Sequence, residues 1–291
     1  MSESQEWTVG KLLTVTTEYL QKHGAENPRL DAEILLAHAR QCERILLYAS
    51  FTEPVSDDLR AKFRELVKGR AAGKPVAYLV GKKEFFSLPF RVTEDVLIPR
   101  PETEFLVLGA VDFLKTRPNA QVIDIGTGSG AVAVSIAKQV PSCRVTATDI
   151  SPAALEVAKA NAAALGVGDR VDFRSGDLLA AFPPQPTFDV IVSNPPYIGE
   201  REKPTLSPQV RDHEPSLALF GGETGLEITA RLIPQAAERL LPGGLLLIEI
   251  SSLLEKETRA LVDGDPRWKD VSVTKDYSGA PRVLRASRAS A

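Results

Sequence analysis

The sequence predicts an α/β protein in which a mostly parallel, doubly wound sheet follows a small helical bundle. Three observations carry that expectation. Beyond residue 120, short apolar runs of strand length alternate with helical periodicities. The first run, 121–125, leads straight into Gly126-Thr127-Gly128-Ser129-Gly130 and then a helical pattern over 131–140. That strand–turn–helix order brings backbone close to a ligand at a helix N-terminus. The first eighty residues show helical periods and no strand alternation.

In chain order, residues 9–22 set Leu12, Leu13, Thr16, Tyr19 and Leu20 on one helical face, with Gly24 as a stop. Asn27-Pro28 opens a second helix, with Leu30, Ile34, Leu35 and His38 on its inner face. Asp31 and Glu33 suit the positive end of that helix. Ser56 caps a third, with Asp57 and Asp58 in its first turn and Leu59, Phe63, Leu66 and Val67 inside. Through residue 80 there are eleven Lys+Arg and eleven Asp+Glu, so the bundle is no basic nucleic-acid module. It reads either as a packing unit or as a docking platform for a partner.

Alternation over 86–92 reads as a strand, Glu94-Asp95 as a turn and 96–98 as the returning strand of a hairpin. Pro101, with Glu102 and Glu104 in the first turn, opens the next helix. Helix-opening chemistry leaves Arg100, between two prolines, unexplained and open to a functional role.

The turn at 126–130, preceded by Asp124, has the pattern D-x-G-x-G-x-G, which is not the G-x-G-x-x-G of dinucleotide binders. A second strand, 144–148, ends in Asp149, roughly 20 residues past the glycines, where a carboxylate can accept both hydroxyls of a ribose. Ser151-Pro152 caps a helix reaching about residue 165, with Gly166 as its stop. A third strand, 170–174, ends near Asp177-Leu178. Asp177 is either a solvated loop acid or an acceptor for an adenine amino group with Leu178 against the ring. Three successive strand ends so equipped favour a nucleoside pocket.

The fourth strand, 188–192, meets Ser193-Asn194-Pro195-Pro196-Tyr197. Two prolines end it, since neither can donate a ladder hydrogen bond, and Asn194 is pushed out of the α region. The segment is a stiff surface turn or a clamp that presents an amide and an aromatic ring where such sheets bind ligands. Residues 199–222 read as a long loop, either a lid or a partner contact. A helix over 226–241 contains Pro234, a kinking residue; Pro242-Gly243-Gly244 then turns into a buried strand, 245–250, and a helix covers 253–262. Strands at 271–273 and 282–284 close an antiparallel pair, and 287–291 reads as a disordered tail.

Composition excludes several function classes. The 291 residues are 43% hydrophobic and 25% charged with net charge −3, ordinary for a globular protein and of the wrong sign for electrostatic binding to nucleic acid. Two distant cysteines and three scattered histidines give no metal spacing, and no metal is expected. The polar start at 1–6 is unlike a signal peptide, and no apolar run approaches the ~20 residues of a membrane span. The expectation is a cytoplasmic protein without membrane contact.

The glycine turn, the acid at 149 and Asn-Pro-Pro-Tyr, in this order, resemble the class I S-adenosylmethionine-dependent methyltransferases that act on planar nitrogens. The strings at 28–36, 75–81, 97–104, 192–198 and 214–219 narrow the resemblance to the release-factor glutamine methyltransferases, the HemK family. Of these, Ile98-Pro99-Arg100-Pro101-Glu102-Thr103-Glu104 is the most specific. The resemblance covers nearly the whole chain. It implies a seven-stranded Rossmann-like sheet with one antiparallel strand, and three parts: a helical substrate-docking domain over 1–81, a β-hairpin connector over 82–100 and a methyltransferase domain over 101–291. It implies S-adenosylmethionine held by Asp124, Gly126, Thr127, Gly128, Ser129, Gly130, Asp149, Asp177, Leu178 and Asn194. Asn194, Pro195, Pro196 and Tyr197 would hold and orient the substrate, with Arg100 and Glu102 in support. The implied substrate is the glutamine of the Gly-Gly-Gln motif of peptide chain release factors, and the enzyme is expected to be a monomer.

The chain departs from the family at Leu178, where an aromatic is usual, and at Ser251-Ser252, where a glycine and a glutamine are. Three other readings compete. A nucleic-acid methyltransferase acting on adenine N6 or guanine N2 would use the same loop but needs a basic groove. An NAD-dependent oxidoreductase fits the glycine spacing poorly. A catalytically silent binding module leaves an intact set of cofactor residues without a purpose.

Overall fold

The computed structural model describes residues 7–185 and 187–290. Its packing divides into two compact units: the chain up to Gly81 with Pro208–His213, and Lys82–Ser207 with Glu214–Ala291. The polar start read at 1–6 lies outside the described residues.

The first unit holds α1 (Val9–Lys22), α2 (Pro28–Arg40), α3 (Leu46–Ala49), α4 (Asp57–Ala71) and α5 (Val76–Val80). Two of these, α3 and α5, are a single turn or little more, too short for a periodic signal. Thr8 and Ser56 cap α1 and α4 through their side chains. The core is Leu13 and Leu20 of α1, Ala32, Leu35 and Leu36 of α2, Leu47 and Phe63. The inner face of α2 is therefore rotated from the expected one: Leu30 and His38 face outward, as does Tyr19 of α1. The rotation carries Asp31 and Glu33 inward, so they are not exposed helix-end acids. Asp31 pairs with buried Arg70 at 2.7 Å. Glu33 accepts from Arg29 at 2.6 Å and from the Tyr48 hydroxyl at 2.5 Å. Those hydrogen bonds and the flanking Arg29 and Arg44 outweigh burial and hold the Glu33 carboxyl below its usual range.

The second unit begins with an antiparallel hairpin, β1 (Lys82–Phe85) and β2 (Leu88–Arg91). Its turn is Phe86-Ser87, both residues left-handed at φ 50° and 58°, the geometry that matches strand twist in a two-residue hairpin. The turn thus falls inside the expected first strand, and 96–98 is not a strand. Reversal at Phe86-Ser87 brings Phe85 and Phe90 together, and both are fully buried. A 3₁₀ turn, Pro101–Thr103, then leads into α6 (Glu104–Leu114). Glu104 accepts the Phe86 N–H at 2.8 Å, tying this helix start to the hairpin turn.

The sheet follows: β3 (Gln121–Ile125), α7 (Ala131–Gln139), β4 (Arg144–Asp149), α8 (Pro152–Ala164), β5 (Val171–Ser175) and β6 (Phe188–Ser193). After a 3₁₀ turn at Glu200–Thr205 come α9 (Pro208–His213), which belongs to the first unit, and α10 (Ser216–Leu219), so the expected loop over 199–222 is largely short helices. Then come α11 (Glu227–Arg239), β7 (Leu240–Glu249), a 3₁₀ turn at Ser252–Leu254, α12 (Glu255–Asp263), β8 (Trp268–Lys275) and β9 (Pro281–Arg288). The expected disordered tail is corrected in part, since Ser287 and Arg288 pair with β7 and β8; Ala291 lies outside the described residues.

Strand order is β5-β4-β3-β6-β7-β9-β8, with β9 alone running against its neighbours. Alternate residues bury on opposite faces. Val122, Val190, Val192, Leu245 and Leu247 pack under α6 and α7, while Ile123, Ile125, Ile191, Leu246 and Ile248 pack under α11. β7 starts five residues before the expected strand: Leu240 pairs with Phe188 and Leu245 with Val190, and Pro242-Gly243-Gly244 lies in the register shift between them. The order reverses at β3 and β6, whose C-terminal ends lie side by side, with Ile125 opposite Ser193. That junction is where open α/β sheets bind ligands. Among the described residues no helix is long and apolar enough to cross a membrane.

Candidate active site

Above that junction lies a cavity of about 280 Å³, formed within the second unit. Gly126-Thr127-Gly128-Ser129, Asp149, Asp177-Leu178, Asn194-Pro195-Pro196 and Arg100 line it, whereas Gly130, Glu102 and Tyr197 are not among its lining residues.

The three glycines of the turn are left-handed, at φ 71°, 55° and 79°, and their surroundings separate their roles. A Cβ at Gly130 would sit 3.1 Å from the Ala158 methyl, so this glycine permits α7 and α8 to approach. A Cβ at Gly128 would meet nothing within 4 Å, and one at Gly126 only the Asn194 carbonyl at 4.0 Å. These two keep open the space a ligand needs beside the backbone. Asn161 of α8, buried mid-helix, donates to the carbonyls of Ser129 (2.8 Å) and Arg91 (3.0 Å) and accepts the Arg91 N–H. It ties turn, helix and hairpin together, and sequence reasoning missed it; a single amide in the alanine-rich run Ala158–Ala164 of α8 was its only signal.

Asp124 lines the cavity and is almost fully buried. Its Oδ2 accepts from the Thr127 hydroxyl at 2.7 Å and the Ala133 N–H at 3.1 Å, bracing the turn against α7. Burial pushes its carboxyl up to about 7, against the pull of those two donors. Asp149 accepts the Gly128 N–H on Oδ2 and the Ser151 N–H on Oδ1, both at 2.9 Å. Burial raises it too. A carboxylate has about four lone-pair sites, so one on each oxygen stays open to a diol. Asp177 forms an ion pair with Arg231 of α11 at the rim, and Leu178 is buried in a left-handed conformation at φ 53°.

On the other side, Asn194 follows β6 and donates from Nδ2 to the Thr103 hydroxyl at 3.2 Å. The Tyr197 hydroxyl donates to Glu249 Oε1 at 3.1 Å. Burial, with the negative charge of Glu249 beside it, drives the phenol well above its ordinary range, so Tyr197 is a neutral donor. Burial also pushes Glu249 up to about 7, while Thr103, Tyr197 and Arg282 oppose the shift and Glu102 adds to it. Arg100 pairs with Glu214 at 2.5 Å, linking the Ile-Pro-Arg-Pro string to the segment before α10. The segment 219–225 buttresses the loop from outside. Ile198 N–H donates to the Leu219 carbonyl and Gly221 N–H to the Ile198 carbonyl. A Cβ at Gly221 or Gly225 would drive into the carbonyl of Pro196 or Tyr197. Thr103, Glu249, Gly221 and Gly225 were not singled out from the sequence. Glu249, an acid ending the apolar run from Leu245, was the most legible of them.

Among the described residues no group of three or more His, Cys, Asp and Glu is placed to hold a metal ion.

This sheet order, with a glycine turn after the central strand and an acid after the next, defines an S-adenosylmethionine-dependent methyltransferase. Comparison with known proteins agrees. The family models described as PrmC N-terminal domain and Methyltransferase small domain match residues 11–81 and 105–208. A release factor glutamine methyltransferase of Rhodopirellula baltica is 48% identical over 292 residues, covering 99% of each chain. One of Koribacter versatilis is 41% identical, covering 92% of this chain and 94% of its own. The crystal structure of a methyltransferase from Pyrococcus furiosus shares the fold, with a TM-score of 0.52 at 23% identity over 78% of this chain and 98% of that one. The chain belongs to the release factor glutamine methyltransferase family.

Proposed function

We propose that this enzyme methylates the side-chain amide nitrogen (N5) of the glutamine in the Gly-Gly-Gln motif of peptide chain release factors. The observation that carries the reading is that the Asn194 loop and the glycine turn share one cavity. Open space at Gly126 and Gly128 and the free lone pairs of Asp149 fit an adenosyl cofactor. When bound, S-adenosylmethionine supplies the electrophilic methyl group. Asp177 and Leu178 are proposed for the adenine end.

A carboxamide nitrogen is a poor nucleophile because its lone pair is conjugated with the carbonyl. Asn194 Oδ1 accepts one of its N–H groups and the Pro195 carbonyl the other, which favours a pyramidal nitrogen with its lone pair aimed at the donor. Alignment of this kind is worth up to ~7–11 kcal/mol. Tyr197 packs on the flat amide, with Pro196 stiffening the loop. The nitrogen sheds its proton after it becomes cationic, so the residues need supply no strong base. Arg100 and Glu102 support the entrance, and the helical unit at 1–81 docks the release factor. On this reading the enzyme works as a monomer in the cytoplasm, without nucleic acid or membrane.

The test is label transfer from radioactive S-adenosylmethionine to a release factor, to its Gln→Ala tripeptide variant and to bulk nucleic acid. Label in the unmodified factor alone supports the reading; label in nucleic acid transfers it to the adenine-N6 or guanine-N2 class.

A further inference from the structure

We infer that Tyr277, with Phe105 beside it, forms an aromatic platform at the mouth of the active site that takes the backbone of the two glycines preceding the target glutamine; this rests on the glutamine reading above. Tyr277 is 94% exposed, so folding gains next to nothing from its ring. The turn that carries it needs no aromatic either, because Asp276 makes that turn. Its Oδ1 accepts the Ser278 and Ala280 N–H groups, both at 2.9 Å, and the Ser278 hydroxyl at 2.6 Å, while Oδ2 pairs with Arg282 at 2.7 Å. Gly279 supplies the left-handed residue at φ 86°. A large ring therefore stands at the tip of a braced turn. An exposed aromatic on rigid backbone suits a binding anchor, since little freedom is left to lose when a partner covers it.

Its place in the fold says what covers it. β7 runs parallel to β6 toward the cavity, β9 returns against β7, and β8 runs against β9. The turn at 276–280 thus emerges at the same end of the sheet as Glu249 and the Asn194 loop. The Ile250 N–H donates to the Arg282 carbonyl at 2.8 Å, so the turn leads into β9 beside the residue that follows Glu249. On its other side the Tyr277 ring lies 5.1 Å from that of Phe105, tilted by 53°. Phe105 is half-buried on the core and is the second residue of α6. It stands two residues after Thr103, whose hydroxyl accepts from Asn194. Two residues span at most about 7 Å. The platform is therefore continuous with the site through both α6 and β7.

A glutamine inside a protein chain reaches Asn194 only if the backbone on either side of it lies across the mouth of the cavity. In Gly-Gly-Gln the preceding residues offer no side chain, so a pocket has nothing to read. What they offer is two bare peptide planes with N–H and Cα–H groups. The negative face of an aromatic ring attracts such groups, and no Cβ holds the plane away from it. A side chain at either glycine would lift the chain off the ring. Tyr277 thereby selects for what precedes the glutamine, whereas the Asn194 loop meets only its amide.

The experiment is label transfer over a range of release factor concentrations, with thermal melting and cofactor calorimetry for each variant. Tyr277→Ala should raise KM for the factor about 10-fold, the scale of a lost interface anchor, and leave kcat and cofactor Kd within about 2-fold of the parent. Tyr277→Phe keeps the face and should keep KM. Tyr277→Leu keeps bulk without a face and should behave as the alanine variant does. A release factor with alanine in place of the first glycine should raise the parent's KM, and Tyr277→Ala should add little to that loss, because both remove one contact. An unchanged KM for Tyr277→Ala, a leucine variant equal to the parent, or losses that multiply between enzyme and factor variants overturn the inference. If Tyr277→Ala does not fold, the Phe and Leu pair at position 277 decides alone. A parent enzyme that labels no release factor sinks the functional reading, whereas a labelling parent indifferent to Tyr277→Ala sinks only the platform.

Discussion

The Tyr197 hydroxyl meets Glu249 Oε1 at 3.1 Å, joining the loop after β6 to the end of β7 through a carboxylate that is almost wholly buried. A charge kept there against its desolvation cost has consequences for rate as well as for structure.

The first concerns pH. Burial places Glu249 at about 7, with Thr103, Tyr197 and Arg282 facing it as stabilisers and Glu102 opposing. As an acid it is neutral below that value and ionised above it, and the ionised form is the stronger acceptor for the Tyr197 hydroxyl that fixes the loop after β6. We expect kcat at saturating cofactor to rise with pH through about 7 and then level. The Glu249→Gln profile should lack this rise. A parent profile flat across that range would contradict the prediction.

Asn194→Ala removes the acceptor for the substrate amide but nothing from the glycine turn. Transfer to a release factor should fall by about 10²–10³-fold, the usual cost of losing one oriented polar contact to the reacting group. Calorimetry should still detect S-adenosylmethionine binding. Near-normal turnover would remove Asn194 from the chemistry.

Glycine substitutions should separate the two halves of the cavity. Gly221→Ala forces a methyl against the Pro196 carbonyl. It should lower kcat and cost about 1–3 kcal/mol of stability, as overpacking does. Gly128→Ala meets no protein atom within 4 Å, so its effect beyond backbone strain should fall on cofactor Kd. Equal effects of both variants on Kd would argue against this division.

Asp124 has its own linkage. Its folded-state carboxyl stands at about 7, above the ordinary aspartate range, so the folded protein holds a proton that the unfolded chain releases. Its contribution is fully present below the unfolded pKa and is lost as pH rises through about 7. Both of its donors bond one oxygen, Oδ2, which an asparagine oxygen can replace. Asp124→Asn should therefore shrink the drop in urea-unfolding stability between about pH 5 and about pH 8. Glu249 contributes a drop of the same sign, so some should remain.

In the helical unit, Asp31→Ala strands Arg70, which is 6% exposed, without its carboxylate. Breaking a buried pair from one side costs about 3–5 kcal/mol, and thermal melting should show it. An exposed helix-end acid would cost about 0.3–1 kcal/mol, so the measurement separates the two placements.

Much of this protein is written in local pattern. The limits of α1 and β3, the caps at Ser56 and Ser151 and the cofactor-side strand ends follow from periodicity, capping chemistry and proline stereochemistry, each a property of a few neighbouring residues. The errors have equally local causes. The hairpin turn uses Phe86-Ser87 without a glycine, and the helices between 199 and 222 are too short for a period to register.

The sequence by itself determined the α/β class, the glycine turn, the acid at 149 and, through resemblance, the Asn194 loop. Tertiary structure alone decided that Asp124 braces the turn, that Arg100 is answered by Glu214, and that Thr103 and Glu249 stand behind Asn194 and Tyr197. These partners lie 114, 91 and 52 residues apart in the last three contacts, beyond the reach of any periodicity. They meet because strands distant in the chain end side by side at the reversal of the sheet, and a buried polar group takes whichever partner that meeting brings.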